Sequence, residues 1–377
     1  MIPFLDLKRQ TDEIREELDA AYRRFMDSGW YVLGDEVDAF EKEYAAYCEA
    51  GHCVGVGSGL DALHLALRAL DIGPGDEVIV PSNTYIATWL AVTQVGATIV
   101  PVEPNEATYN ICPELIAQAV TRRTKVILPV NLYGQPVDYD AIMAIAKEAG
   151  VFVVIDNAQA QGARYKSRKV GGIADIECHS FYPSKNLGAY GESGAITTQD
   201  RDIAERITLL RNYGSKVRYH NDVCGTNSRL DALQAAFLRV KLRRLDEWNA
   251  RRQHIADTYS KELALLSGHC SGAPSIVAPT AAIGVAPAWH LYVVRVPRRD
   301  MVKKTLEAIG VQTLVHYPIP PHLSKAYRSL GFKGGDFPVA EKLASEILSL
   351  PICPHLEAAD AAFISLSLAE AIFNEGI

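Results

Sequence analysis

The chain has 377 residues, of which 48% are hydrophobic and 22% charged, the balance of a globular protein long enough for two domains. Its 38 Lys and Arg against 45 Asp and Glu give a formal charge of −7 without a basic cluster, which argues against nucleic acid or an anionic membrane as partner. The start, Met1-Ile2-Pro3-Phe4-Leu5-Asp6, has no secretory pattern, and the best apolar stretch, Trp89 to Val102, is interrupted by Thr93, Gln94 and Gly96, so no membrane span is expected and the location is read as cytoplasmic.

In chain order, a charged helix is expected over Thr11–Ser28. Val54–Gly57 reads as a short strand running into a glycine turn, and Asp61–Leu70 as a helix with Leu63, Leu67 and Leu70 on one face. Strand Glu77–Val80, helix Thr84–Val95, strand Ala97–Val102 and helix Pro113–Ala119 follow. Then come strand Lys125–Val130, helix Tyr139–Ala149, strand Val151–Ile155, and strands Glu177–Phe181 and Gly194–Thr197. Continuous apolar strands alternating with helices predict a mostly parallel sheet buried on both faces. Beyond Asp200 the pattern changes. Helix Ile203–Arg211 and a long helical stretch Leu230–Leu263 precede a loop rich in Gly, Pro, Ser and Ala, Gly268–Pro287. Strand His290–Val296, helix Met301–Ile309, strand Gln312–His316 and helices Phe337–Leu348 and Ala358–Phe373 complete the chain. The reading is a large α/β domain over residues 1–245 and a smaller α+β domain over 246–377, with the N-terminal helix near the seam. Cys48, Cys53, Cys112, Cys178, Cys224, Cys270 and Cys353 are scattered without CxxC spacing, so neither a disulfide framework nor a metal site is expected.

Three segments carry candidate chemistry. In Val56-Gly57-Ser58-Gly59-Leu60-Asp61 a strand ends in glycines just before a helix, leaving free backbone N–H groups for an anion such as phosphate. The spacing fits neither a nucleotide P-loop nor a dinucleotide fingerprint, and a plain turn is the bland alternative. In Val153-Val154-Ile155-Asp156-Asn157-Ala158-Gln159 a carboxylate follows a buried strand, at the edge where ligands of open sheets gather; a turn cap is the alternative. In Ser180-Phe181-Tyr182-Pro183-Ser184-Lys185-Asn186-Leu187-Gly188 a lysine follows a strand among small and aromatic residues. Partial burial lowers a lysine pKa and makes its amine a nucleophile for an aldehyde. Together the three suit pyridoxal 5'-phosphate, which needs a lysine, an acid for its ring nitrogen, a phosphate cradle and a flat neighbour such as Tyr85.

At this point the chain resembles the fold-type I, aspartate-aminotransferase-like enzymes, and within them the sugar aminotransferases of the DegT/DnrJ/EryC family. The resemblance runs over essentially the whole chain. It includes Ser28-Gly29-Trp30-Tyr31-Val32-Leu33-Gly34, Gly57-Ser58-Gly59-Leu60-Asp61-Ala62-Leu63, Pro81-Ser82-Asn83-Thr84-Tyr85, Leu132-Tyr133-Gly134-Gln135-Pro136, Arg211-Asn212-Tyr213-Gly214 and Asn227-Ser228-Arg229-Leu230-Asp231. It implies a large domain with a mixed, mostly parallel sheet and a smaller C-terminal domain. Lys185 is implied as the Schiff-base lysine and Asp156 as the partner of the ring nitrogen. Gln159 is implied at the phenolic oxygen, Tyr85 on the ring, and Gly59, Leu60 and Ser180 at the phosphate. Asn227 would reach the cofactor phosphate of the other subunit of a homodimer with composite sites.

His316-Tyr317-Pro318-Ile319-Pro320-Pro321-His322 and Trp30 to Gly34 resemble the branch that aminates carbon three of a nucleotide-linked (dTDP) 3-keto-6-deoxyhexose in deoxyamino-sugar biosynthesis. L-Glutamate is the implied donor, with pyridoxamine 5'-phosphate as the aminated cofactor. Tyr182, Tyr219, His316, Tyr317 and His322 are the candidate substrate contacts. Three departures from the family pattern bear on substrate preference: Asn157 and Gln161 where alanine and histidine are expected, Asn131 for the usual histidine, and Glu192-Ser193 for Asp-Gly. Competing readings are amination at carbon four, as in perosamine-type synthases, and a cofactor-binding sensor without turnover.

Overall fold

A computed structural model of the chain describes residues 1–268 and 276–373. Cys270 and loop residues 269–275 lie outside the described residues. Three helices open the chain: α1 (Leu7–Glu13), α2 (Arg15–Ser28) and α3 (Asp35–Tyr47). The single helix expected over Thr11–Ser28 is therefore two, because Ile14 leaves helical geometry with φ −120° and ψ 20°. The sequence reading also lacks α3, which buries Val37, Phe40 and Tyr44.

The alternating region follows: β1 (His52–Val56), α4 (Gly59–Ala69), β2 (Glu77–Pro81), α5 (Ile86–Gln94), β3 (Thr98–Val102), α6 (Pro113–Ala119), β4 (Thr124–Ile127), α7 (Tyr139–Ala149) and β5 (Phe152–Asp156). A short hairpin, β6 (Arg164–Tyr165) and β7 (Arg168–Lys169), leads to β8 (Ile176–Ser180), β9 (Gly194–Thr198) and α8 (Arg201–Leu210). The expected elements of this region lie within three residues of these bounds. Seven strands form one sheet in the order β1-β9-β8-β5-β4-β2-β3. β9 is antiparallel to both neighbours and the remaining pairs are parallel. Val78, Ile79 and Val80 of β2 and Val153, Val154 and Ile155 of β5 are wholly buried, which is why these strands read as unbroken apolar runs.

Topology brings the chemistry to one edge. β1, running with β8, ends at the same level, because Gly194 pairs with Val56 on one side and Ser180 on the other. Asp156, at the end of β5, pairs with Cys178 of β8. The strands therefore deliver Ser58, Asp156 and Ser180 to a common rim.

After hairpin β10 (Ser215–Val217) and β11 (His220–Asn221), the expected helix over Leu230–Leu263 is divided at Arg243 and Arg244 into α9 (Ala232–Leu242) and α10 (Leu245–Gly268). α10 joins two cores. Leu245 and Trp248 pack on the sheet side, whereas Ile255, Tyr259 and Leu263 enter a second cluster. That cluster is completed from β13 (Tyr292–Arg295), α11 (Arg299–Ala308), β14 (Ile347–Leu350) and α13 (Ala358–Phe373), chiefly by Tyr292, Val294, Leu348, Leu350, Ile364 and Leu368, whereas β12 (Val285–Ala286) pairs with β6 and α12 (Pro338–Glu346) puts Leu343 in a separate cluster with Leu291 and Val293. Two expectations are corrected here. Residues Gln312–His316 make no strand; Val311 bridges Ile2 and Leu314 bridges Ser349 as isolated contacts. The helix expected to Leu348 stops at Glu346, because Ile347–Leu350 pair antiparallel with β13 instead.

A carboxylate fastens α12 to the sheet. Glu103, just past β3, accepts from the N–H groups of Val339 (2.7 Å) and Ala340 (3.0 Å) in the first turn of α12, and from the Ser82 hydroxyl (2.9 Å). Pro338 has no N–H to offer, so Glu103 takes the next two donors of that helix end. Glu103→Ala should cost about 1.5–3 kcal/mol, the range for hydrogen bonds to a charged group. Urea unfolding reads the loss, and an unchanged midpoint would mean that water replaces the cap.

Candidate active site

A cavity of about 650 Å³ opens at the common rim. Its floor is Ser58, Gly59 and Leu60 from the start of α4, with Asp156, Ala158 and Gln159 after β5. Ser180, Tyr182, Ser184 and Lys185 line it from the segment after β8, and Thr84 and Tyr85 from the segment before α5. Glu192, His290, His316 and Tyr317 complete the wall.

The first turn of α4 is an anion cradle. Ser58 caps it, its hydroxyl accepting from Asp61 N–H at 3.1 Å. The N–H groups of Gly59 and Leu60 precede any intrahelical bond and stay available at a positive helix end. Gly59 is required by space, since a Cβ there would lie 2.6 Å from Ser180 Cβ. The close approach sets the Ser180 hydroxyl beside the cradle. Ser228 buttresses the turn from below, accepting from Gly57 N–H at 3.0 Å and donating to Asp61 at 2.8 Å.

Asp156 is buried at 6% exposure. Burial pushes its carboxyl above the ordinary carboxylate value, against the pull of Ala158 N–H, the Lys185 charge and the Thr88 hydroxyl. Lys185 is partly open to the cavity. Enclosure of its amine lowers its pKa from 10.5 to about 8, with Asp156 opposing. A usable fraction of free amine therefore exists near neutral pH. His290 shares its Nδ1 with Asn186 Oδ1 at 3.1 Å, and His316 its Nδ1 with Ser349 Oγ at 2.9 Å. Burial, followed by the Lys185 charge, pushes both down, His316 to about 4. Gln159 accepts from Tyr133 N–H at 2.6 Å and donates to the Tyr317 hydroxyl at 3.0 Å. The Tyr317 and Tyr85 rings lie 5.1 Å apart, tilted by 36°.

The candidates do not all meet here. Gly59, Leu60, Tyr85, Asp156, Gln159, Ser180, Tyr182, Lys185, His316 and Tyr317 share the cavity. Tyr219, between β10 and β11, is 82% exposed and outside it, and Asn227 is exposed and pairs through its backbone with Asn212. His322, expected as a substrate contact, is not on the cavity wall: its ring is buried against Phe337 and bonds Glu341 at 3.0 Å. The sequence reading passed over His290 and Thr88. The Thr84-to-Thr88 spacing, one helical turn next to the tyrosine, was the available signal for the latter.

Asn131, Asn157 and Gln161, which depart from the family pattern, lie in the scaffold behind the cavity. They are buried and absent from the cavity wall. Asn131 donates to Asn157 and to the Tyr139 hydroxyl (2.9 Å); Asn157 and Tyr139 (3.0 Å) both donate to Glu177, closing a ring of side-chain hydrogen bonds. Glu177 also accepts from the N–H groups of Gly171, Ile173 and Ala174 at 2.7–3.0 Å. The two asparagine departures thus touch each other and form one unit. Gln161 donates to the Ser180 carbonyl at 2.7 Å and steadies the end of β8.

Comparison with known proteins follows the same lines. Residues 12–368 match the DegT/DnrJ/EryC1/StrS aminotransferase family. The chain is 55% identical to the erythromycin biosynthesis sensory transduction protein EryC1 of Saccharopolyspora erythraea, over 97% of this chain and 98% of that one. It is 52% identical to the dTDP-3-amino-3,4,6-trideoxy-alpha-D-glucose transaminase of Streptomyces venezuelae (94% and 92% covered). It is 50% identical to the dTDP-3-amino-3,6-dideoxy-alpha-D-galactopyranose transaminase of Aneurinibacillus thermoaerophilus (94% and 95%). The crystal structure of S. venezuelae DesV superposes with a TM-score of 0.94 at 51% identity, covering 98% of both chains. The PLP form of the Streptococcus pneumoniae sugar aminotransferase Spr1654 gives 0.88 at 28% identity, with 95% and 96% covered.

The lowered pKa of Lys185 has a direct test in reductive methylation with peptide mapping. Labelling of Lys185 should rise with pH through about 8 and level off, at lower pH than that of the exposed lysines. A Lys185 profile that tracks the exposed lysines would show that its amine is not enclosed.

Proposed function

The chain belongs to the DegT/DnrJ/EryC1/StrS aminotransferase family, and from that premise we propose that it is a pyridoxal-phosphate-dependent enzyme. It moves the amino group of L-glutamate to carbon three of a dTDP-linked 3-keto-6-deoxyhexose, in deoxyamino-sugar biosynthesis. One observation carries the reading: an enclosed lysine, a buried carboxylate and an amide cradle face one cavity, each from a different strand end. The carbon-three assignment is supported by two relatives, at 52% and 50% identity, named as transaminases of dTDP-3-amino sugars.

The residues present fit the cofactor. The Gly59 and Leu60 N–H groups and the Ser180 hydroxyl, brought together where a Cβ would not fit, would hold its phosphate. Asp156 would face the ring nitrogen, Gln159 the phenolic oxygen and Tyr85 the ring. Bound there, pyridoxal phosphate supplies an aldehyde that accepts and releases amino groups and a ring that withdraws electrons. The protein supplies the rest. Asp156 holds a proton on the ring nitrogen. Lys185 Nζ, with its pKa near 8, takes a proton from the donor carbon and returns one to the sugar carbon. Tyr317, set against Tyr85 and tied to Gln159, narrows the mouth and limits water.

The site is completed across a homodimer in this proposal. Asn227 lies outside its own cavity, while the adjacent Ser228 is bonded to the cradle turn, so the segment suits a contact with a second subunit's phosphate. Both substrates are cytoplasmic metabolites, and a cytoplasmic location belongs to the same proposal. The sensory name of EryC1 favours, as a second reading, a sensor that binds cofactor without turnover.

Incubation with L-glutamate and a panel of nucleotide-linked 3-keto and 4-keto sugars, read by mass and NMR, should yield a 3-amino product, and Lys185→Ala should abolish it. A 4-amino product would overturn the carbon-three assignment, and cofactor binding without any amination would establish the sensor. A complementation experiment tests the composite site. Mixed dimers of Lys185→Ala with Asn227→Ala subunits gather both defects in one site and leave the other intact, so activity should reappear. No recovery after demonstrated subunit exchange would show that Asn227 does not serve the partner.

A further inference from the structure

Both oxygens of the buried Asp156 carboxylate are held. Oδ1 accepts from Ala158 N–H at 3.0 Å and Oδ2 from the Thr88 hydroxyl at 3.1 Å. Thr88 is fully buried and has one hydroxyl proton. Having given it to Asp156, Thr88 can only accept from Thr84 Oγ1, which lies 3.0 Å away. The direction of the chain is therefore fixed: Thr84 donates to Thr88, and Thr88 donates to Asp156. Thr84 stands on the cavity wall and Thr88 behind it.

The local backbone makes this arrangement informative. Thr88 is the third residue of α5 and the residue one turn back precedes the helix, so its hydroxyl is free to leave the helix, whereas a threonine deeper in a helix ordinarily returns its hydroxyl to the carbonyl one turn back. Thr93, in the same helix α5, does so, donating to Trp89 O at 3.1 Å. Thr88 instead gives its proton to a carboxylate 68 residues away in sequence. Hydrogen bonds to a charged acceptor are the strong ones, and a second hydroxyl feeding the first polarises it further.

We propose that Thr88, oriented by Thr84, is a positioning residue that fixes the Asp156 carboxylate and keeps it a charged acceptor for a ring nitrogen. The proposal rests on the pyridoxal-phosphate reading above. Removing the Thr88 hydroxyl leaves Oδ2 without a donor in a buried site. The carboxylate then turns or takes a proton itself, and in either case the ring nitrogen loses its charge partner.

The test uses the full-length protein loaded with pyridoxal phosphate labelled with nitrogen-15 in the ring. Thr88→Val should move the ring-nitrogen resonance toward the unprotonated position. It should lower kcat roughly ten- to hundredfold, the equivalent of one hydrogen bond to a charged group, with KM for the sugar little changed. Thr88→Ser, which keeps the hydroxyl, should restore both readouts. Thr84→Val should shift the resonance in the same direction by less, and it serves as the independent test if Thr88→Val fails to fold. An unmoved resonance in the folded variants, or a Thr88→Ser protein that behaves like Thr88→Val, would overturn the proposal. Failure of the wild-type protein to bind pyridoxal phosphate would instead overturn the reading beneath it. Binding without sugar amination would leave the resonance test able to decide on Thr88 alone.

Discussion

The site depends on two glycines that let three backbone segments touch. A Cβ on Gly194 would stand 2.4 Å from the Ser58 carbonyl, and one on Gly59 would stand 2.6 Å from Ser180 Cβ. With neither present, the turn between β1 and α4 closes onto the ends of β8 and β9, and the helix end meets the Ser180 hydroxyl. The antiparallel strand β9 is what makes this possible, because Gly194 is the shared register partner of Val56 and Ser180. Backbone donors thus gather at this helix end without a cationic side chain, the arrangement by which an acidic chain can offer a site to an anion.

The second constraint is electrostatic. A carboxylate buried in a low-dielectric rim is costly unless donors surround it. Asp156 has Ala158 N–H and Thr88, and it faces Lys185. Immediately beyond it, Asn157 turns away from the cavity into the ring with Asn131, Tyr139 and Glu177. Glu177, itself fully buried, is met by five donors, three of them backbone N–H groups. The ring therefore anchors the strand end that carries Asp156, and it is coupled to the Tyr133 turn through Asn131, whose side chain accepts from Val137 N–H at 2.7 Å.

What was legible in the sequence follows from these constraints. Strands buried on both faces, and helices with a clear apolar stripe, announce themselves, so the elements from β1 to β9 were readable except for the two-residue strands β6 and β7, which are too short to carry a pattern. Asp156 and Lys185 stood out as candidates because each follows an apolar strand, and the structure sets both on the wall of one cavity. Pairing across long separations was not. Ile347 and Leu348 continue a helical spacing, and only β13 draws them into a strand. His322 looked like part of a histidine- and tyrosine-rich wall, but Glu341, 19 residues on, turns its ring inward. Asn131 and Asn157 looked like two separate departures, and their contact is visible only in three dimensions.

The roof of the cavity comes from the far end of the chain, and this has a chemical consequence. Tyr317 is pinned by Gln159, the His316 carbonyl accepts from the Tyr133 hydroxyl, and Tyr327 packs on Trp89 with its hydroxyl 3.0 Å from Thr93. Glu103 holds α12 to the same side of the sheet. The roof brings two histidines close to Lys185, but its enclosure also strips them of charge, His316 down to about 4. Their Nδ1 atoms are already shared with Asn186 and Ser349. Of the three nitrogen bases on the wall, Lys185 alone is left with a pKa near working pH, at about 8. The packing that closes the cavity thereby leaves the lysine amine as the one of these three groups able to exchange a proton near neutral pH, with both imidazoles neutral.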